Sequence, residues 1–283
     1  MTSDAPRATV AVIGGSGLYT LFDPDSSEKL RVETPYGSAE VTIGDLGGRR
    51  AAFLTRHGIH HSVPPHQINF RANIWALASL GVRVILSSSA VGGVSAEYPP
   101  GTLVLTDQFI DRTSGRADTF YDEGSVQHLA AADPFAPELH ELAKKALTDA
   151  GETFAGSGTV VVIQGPRFST RAESLWFAAA GAHTVNMTMY PEVPLAAELN
   201  IDTVNLSFVT DSDAGLSPLP GVVDPDAVSH QLVMQRLAEA QPRIVAAIET
   251  IIRAMPDDYT PRESIAPTEV AAVLARTVKE VSR

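Results

Sequence analysis

Short, unbroken apolar runs recur along the 283-residue chain, each stopped by glycine or small polar residues and most followed by a stretch of helical periodicity. The first, residues 9–13 (Thr-Val-Ala-Val-Ile), ends in Gly14-Gly15-Ser16-Gly17. A strand without polar alternation has no face to give to water, so it must be covered on both sides. Similar runs lie at 41–43, 50–54, 82–87, 102–105, 158–163, 184–186 and 203–208, with helical patterns at 67–80, 137–150, 170–180, 190–199 and 226–255. This alternation predicts an α/β fold in which a mixed, mainly parallel β-sheet is flanked by helices on both faces. With 44% hydrophobic residues, one domain over 1–283 can bury a core. Residues 1–8 read as a polar N-terminal tail, 257–283 as a helical extension, and the Gly-, Pro- and Ser-rich stretch 214–226 as a mobile loop.

A formal net charge of −12 argues against non-specific binding to nucleic acid or an anionic membrane, so a bound phosphate would have to meet a local cationic pocket. The absence of cysteine excludes disulfides, thiolate metal sites and a cysteine nucleophile. The polar start carries no apolar segment of the signal-peptide kind, and no apolar run reaches the roughly 20 residues of a membrane span. The expectation is a soluble, cytoplasmic protein that acts on a small molecule.

The residues beyond the apolar runs carry the chemistry. Gly14-Gly15-Ser16-Gly17 offers backbone N–H groups and a hydroxyl to an anion, although such a turn alone also suits a plain tight turn; it is neither a dinucleotide fingerprint nor a Walker loop. Arg56-His57-Gly58 adds a fixed cation and a titratable donor, and Ser88-Ser89-Ala90 adds hydroxyls and an amide. Three strand ends with these groups supply donors from different directions, as a tetrahedral oxyanion requires. His60, His61 and His66 read as a solvated basic cluster, without the spacing of a zinc site. Thr210-Asp211-Ser212-Asp213 reads as a turn or cap, or as two carboxylates that share a proton with a purine N7 and accept from an exocyclic amine. Phe168 reads as a base-stacking face or a core aromatic.

Taken in order, Ile13-Gly14-Gly15-Ser16-Gly17-Leu18, Arg56-His57-Gly58, residues 69–77, 107–113, 162–174 and 186–192 resemble the trimeric purine nucleoside phosphorylase family, in particular its methylthioadenosine phosphorylase branch. The resemblance implies phosphorolysis, in which inorganic phosphate attacks C1′ of a purine nucleoside and releases the base. It places phosphate contacts on Ser16, Arg56, His57, Ser89, Ala90 and Thr188, and ribose contacts on Met187. Phe168, Ser169, Thr210, Asp211 and Asp213 then surround the base, with Asp211 as general acid at N7. Asp213 accepts from a 6-amino group, which implies 6-aminopurines over inosine and guanosine. His128 matches a position that reaches a neighbouring subunit's site, so a homotrimer is implied. No metal or organic cofactor is expected, since phosphate is a co-substrate.

His230 departs from the pattern of the methylthio-specific members, which carry a small apolar residue there; it fits a 5′-hydroxyl or an exposed helix face, while Val233 and Met234 supply apolar contacts. Both 5′-methylthioadenosine and adenosine therefore stay open at this level. A broader phosphorylase that accepts inosine or guanosine, a nucleoside hydrolase, and a non-catalytic nucleoside binder are the competing readings.

Overall fold

The run at 9–13 becomes strand β1 (Val10–Gly14), whose side chains alternate between two cores: Val10 and Val12 enter one, Ala11 and Ile13 the other. The first core is closed by helices α2 (Pro137–Asp149) and α5 (His230–Ala254), the second by α1 (Phe70–Ser79), α4 (Met189–Glu198) and α6 (Pro267–Leu274). A sheet buried on both faces is what the unbroken apolar runs require. The computed structural model describes residues 7–58, 60–216 and 226–277, so most of the loop expected at 214–226 lies outside the described residues.

Strand β5 (Val84–Gly93) is the spine of the sheet. One edge pairs in parallel with β11 (Asp202–Ser212) along its whole length. The other edge is shared: β1 pairs with it in parallel as far as Ser87, and β10 (Thr184–Asn186) takes over in antiparallel sense against Gly92 and Gly93. The path runs β2 (Glu28–Thr34), β3 (Gly37–Leu46), β4 (Arg49–Thr55), β1, β5, β10, β9 (Thr159–Ile163), β7 (Gln108–Arg112). From β5 the sheet also branches through β11 to β6 (Leu103–Thr106) and β8 (Phe154–Ala155). The hand-over from β1 to β10 is a topological switch, and such points open a crevice at the strands' carboxyl ends.

The structure corrects several boundaries. Ser88-Ser89-Ala90 does not follow a strand but continues β5, and Thr210 and Asp211 lie inside β11. Strands β2, β7 and β8 escaped the apolar criterion because their residues are largely polar or half-exposed. Helix α5 starts at His230, where Ser229 Oγ accepts from the Leu232 N–H at 3.2 Å, not at residue 226. Helix α1 starts at Phe70, capped by Asn69, whose Oδ1 accepts from the Ala72 N–H at 3.1 Å. Tyr190 and Pro191 depart from helical geometry inside α4. Helix α3 (Arg171–Ala179) opens with a capping box between Thr170 and Glu173, each satisfying a backbone donor of the other. The C-terminal segment does form a helix, α6, and Trp75 Nε1 donates to Val273 O at 3.1 Å to hold it on α1. No helix among the described residues is long and apolar enough to cross a membrane.

Candidate active site

A cavity of about 420 Å³ opens at the carboxyl ends of β1, β4, β9 and β10 and along the second halves of β5 and β11. Its volume suits a small molecule. Ser16, Arg56, His57, Ser89, Ala90 and Thr188 all line it, so the group read from separate segments is brought to one cavity. Gly15 makes this possible: a Cβ there would lie 2.5 Å from Ser88 O and 3.0 Å from Arg56 Nη1, so only glycine lets the guanidinium pass under the turn.

The cationic pocket differs from the one expected. Arg56 Nε and Nη2 donate to the two carboxylate oxygens of Glu192 at 2.6 and 2.7 Å, and Nη1 donates to Ser88 O at 3.0 Å. Both side chains are buried, 1% and 4% exposed. One N–H on each Nη remains for an anion, and the guanidinium charge is largely neutralised by its partner. His57 also changes role. Its Nδ1 lies 2.9 Å from Val63 O, an acceptor only, so Nδ1 carries the proton and Nε2 is the free nitrogen. Burial, with smaller contributions from Arg56 and His61, pushes His57 down to about 4 against the pull of that hydrogen bond. At neutral pH its free nitrogen is thus an acceptor, suited to an O–H or N–H of a ligand.

Beneath Ser89 runs a buried polar chain that the sequence reading missed. Asn205 Nδ2 donates to Ser89 Oγ at 3.1 Å and to Ser87 Oγ at 2.9 Å, while Asn205 Oδ1 accepts from Ser207 Oγ at 2.6 Å. Ser89 oxygen is therefore an acceptor from below, which leaves its own proton for a ligand above.

The register of β11 breaks between Val209 and Asp211, so Thr210 is the extra residue of a β-bulge opposite Val91 and Gly92. A bulge re-aims side chains, and here Thr210, Asp211 and Asp213 all reach the cavity. Thr210 Oγ1 donates to Asp211 Oδ2 at 2.7 Å, whereas Asp211 Oδ1 and Asp213 Oδ2 are buried with no hydrogen-bond partner among the described residues. Burial pushes the Asp211 carboxyl up to about 7; the neighbouring Asp213 adds to the rise, and Thr210 and Arg236 oppose it. Burial also raises Asp213, although the Ser174 and Ser169 hydroxyls and the Ala214 N–H face it. Those two hydroxyls are buried without closing a well-formed hydrogen bond. Phe168, 40% exposed, stands at the rim of the cavity and is not a core aromatic.

Met187, Ser169, His230 and Val233 also line the cavity, whereas Met234, one residue further round α5, does not. His128 is exposed and outside the cavity of its own chain. Among the described residues no three His, Asp or Glu side chains converge as metal ligands.

Residues 9–253 match the Phosphorylase superfamily. The chain belongs to that superfamily. This phosphorylase is 52% identical over 215 residues to the S-methyl-5′-thioadenosine phosphorylase of Mycobacterium tuberculosis, an alignment that covers 75% of this chain and 79% of its relative. It is 44% identical over 260 residues to a purine nucleoside phosphorylase of Streptomyces coelicolor, covering 88% and 90%. A solved methylthioadenosine phosphorylase from Schistosoma mansoni, in complex with adenine, has a TM-score of 0.81 at 29% identity, covering 94% of this chain and 97% of that one. The resemblance read from the motifs and the nucleoside phosphorylase-like fold are both borne out, and the chain is a pentosyltransferase.

Four features of this phosphorylase's site had no sequence signal of their own. In sequence Glu192 is only the last residue of the segment 186–192, and its partner is 136 residues away. Asn186 lines the cavity, its amide atoms both buried and without a partner among the described residues. His61 lines it too, where the sequence offered only a solvated cluster. Arg116 binds the ends of β9 and β10 together: Nη2 donates to Gln164 O at 3.0 Å and Met187 O at 2.9 Å, Nε donates to Gln164 Oε1 at 3.2 Å, and Nη1 to Tyr190 O. This half-buried cation is visible in sequence only as one arginine among many.

Proposed function

We propose that this phosphorylase cleaves the N-glycosidic bond of 6-aminopurine nucleosides, 5′-methylthioadenosine and adenosine, with inorganic phosphate as co-substrate and no other cofactor. The observation that carries this reading is the pair of buried, unpartnered carboxylate oxygens of Asp211 and Asp213 at one end of the cavity whose other end gathers Ser16, Arg56, His57, Ser89, Ala90 and Thr188. Phosphate held by the latter group attacks C1′. The C1′–N9 bond breaks, its electron pair passes into the purine, and protonated Asp211 delivers its proton to N7 as that charge develops. A carboxyl group with its pKa near 7 is suited to that exchange. Asp213 accepts from the 6-amino group, with Ser169, Thr210 and Phe168 around the base, Met187 at the ribose, and His230 and Val233 at the 5′ end.

The names of the relatives support this choice: two of three refer to methylthioadenosine and one to purine nucleosides. In this reading residues 1–283 act as one domain in the cytoplasm, as a homotrimer in which exposed His128 completes a neighbour's site; nucleic acid and membranes are not partners. The test is kcat/KM for methylthioadenosine, adenosine and inosine at fixed phosphate, repeated with His230→Val. The expected result is preference for the two 6-aminopurines and a shift toward methylthioadenosine in the variant. Faster cleavage of inosine, or cleavage independent of phosphate, overturns the assignment.

A further inference from the structure

His61 occupies a position with three unusual properties. Its backbone is left-handed, φ +51°, a region that few residues other than glycine enter and that asparagine and histidine tolerate best. Its Nε2 lies 3.1 Å from Ser16 Oγ. Its ring sits edge-on to His57, centroids 4.6 Å apart, and stacks on His230 at 6.0 Å with 9° between planes. Strained backbone persists where surrounding contacts hold a side chain in place, and here they hold an imidazole between the anion end and the 5′ end of one cavity.

Ser16 has a single hydroxyl proton. If it gives that proton to His61, it has none for an anion; if it gives it to an anion, its oxygen must accept from a proton on Nε2. The two arrangements are exclusive, and the entry of an anion selects the second. We propose that His61, which the family resemblance leaves unassigned, is the proton-carrying partner of Ser16: it turns the Ser16 hydroxyl toward the bound anion and takes up a proton from solvent as the anion enters. The proposal rests on the phosphate end of the cavity being read correctly above.

The groups that face His61 make it the residue to charge. From the turn after β1 come Ser16 and the ring of Tyr19, 6.1 Å away. From the end of β4 come His57, its Nδ1 already committed to Val63 O, and Arg56, whose charge Glu192 offsets. From α5 comes His230. Burial and the nearby His230 hold ligand-free His61 below its ordinary value, so it is mainly neutral until an anion supplies the opposing charge. The stack places a charged His61 against the His230 ring, so the anion end and the 5′ end of the cavity meet at this residue.

Sulfate, which carries no titrating proton near neutrality, is the probe. Titration calorimetry in two buffers of different ionisation enthalpy counts the protons taken up on sulfate binding by wild type, by His61→Asn, which keeps the left-handed backbone, and by His61→Gln. The expected result is net uptake by wild type and none by either variant. At mildly acidic pH the variants should bind sulfate about tenfold more weakly, the size of one lost charge-assisted hydrogen bond, and at alkaline pH all three should bind alike. Uptake that survives in both folded variants, or a wild type that binds no sulfate or takes up no proton, overturns the proposal. Phosphate-dependent cleavage by wild type, measured alongside, separates the outcomes: if it is absent, the functional reading fails; if it is present, the role of His61 alone has failed.

Discussion

Glu192 grips Arg56 through both carboxylate oxygens, at 2.6 and 2.7 Å, inside the protein and directly behind the cavity wall. The pair fixes the plane of the guanidinium while removing most of its charge. Removing Glu192 leaves a buried cation without its partner, so Glu192→Ala should lower unfolding stability by about 3–5 kcal/mol in denaturant titrations. The double variant Arg56→Met/Glu192→Met should recover most of that loss and still show no phosphate-dependent turnover. Recovery of turnover would show that the guanidinium is not needed at the anion end.

Asp211 gives a pH signature. Its carboxyl has an ordinary value of 3.8 and stands at about 7 in the fold, so the folded state holds a proton that the unfolded state releases. The stability it contributes is complete below its unfolded value and is lost as pH rises through about 7. The melting temperature of the ligand-free protein should therefore fall from mildly acidic to mildly alkaline pH, and Asp211→Asn should flatten that fall while abolishing turnover. In wild type kcat/KM should decline as the same proton is lost. A variant with an unchanged melting profile would assign the pH response elsewhere.

Gly92 leaves the space that Asp211 uses. An added Cβ would lie 3.0 Å from Asp211 Oδ1 and 3.3 Å from Val185 Cγ1, close enough to move the carboxylate but not to break the sheet. Gly92→Ala should lower kcat by about tenfold if Asp211 acts at N7, because the carboxylate must give by a few tenths of an ångström. Its circular dichroism spectrum should stay native. Unaltered kinetics would mean that Asp211 tolerates displacement, against its role at N7.

Asn186 lines the cavity, and both of its amide atoms are buried without a partner among the described residues. Unpaired buried polar groups destabilise a fold, and an apolar group of similar shape relieves that penalty. Asn186→Leu should raise the melting temperature of the ligand-free protein and raise KM for nucleoside. A variant that is less stable and binds nucleoside as well as wild type does would make Asn186 structural.

Where strands are apolar on both faces, as in β1 and β4, the sequence announces them. Strand β2 is the opposite case: Lys29, Arg31 and Glu33 face water while Leu30, Val32 and Thr34 turn inward, a period-two alternation that a search for unbroken apolar runs passes over. Ser88-Ser89, beyond the run at 82–87, suits a turn because small hydroxyl residues favour turns, yet β11 pairs with both, and the Ser89 hydroxyl, like that of Ser87, is met by Asn205. The site's grouping around one cavity was legible because Gly15 and Arg56 directly follow β1 and β4, while Asp211 and Asp213 flank the end of β11. Its electrostatics were not legible: the neutralising Glu192, the tautomer of His57 and the stack of His61 on His230 all depend on contacts between distant segments.

Because Ser89 and Gly92 lie on the same uninterrupted strand, with Asp211 opposite Gly92, the separation between the anion end and the carboxylate end is set by three residues of backbone. At about 3.3 Å per residue that is a fixed span of about 10 Å. Strand β5 is in effect a ruler. A nucleoside enlarged at its 5′ end can still be accommodated by side chains on α5, but one whose base is lengthened along the strand meets a distance that no side-chain rotation can change. Selectivity for base length should accordingly survive surface substitutions that relax selectivity at the 5′ end.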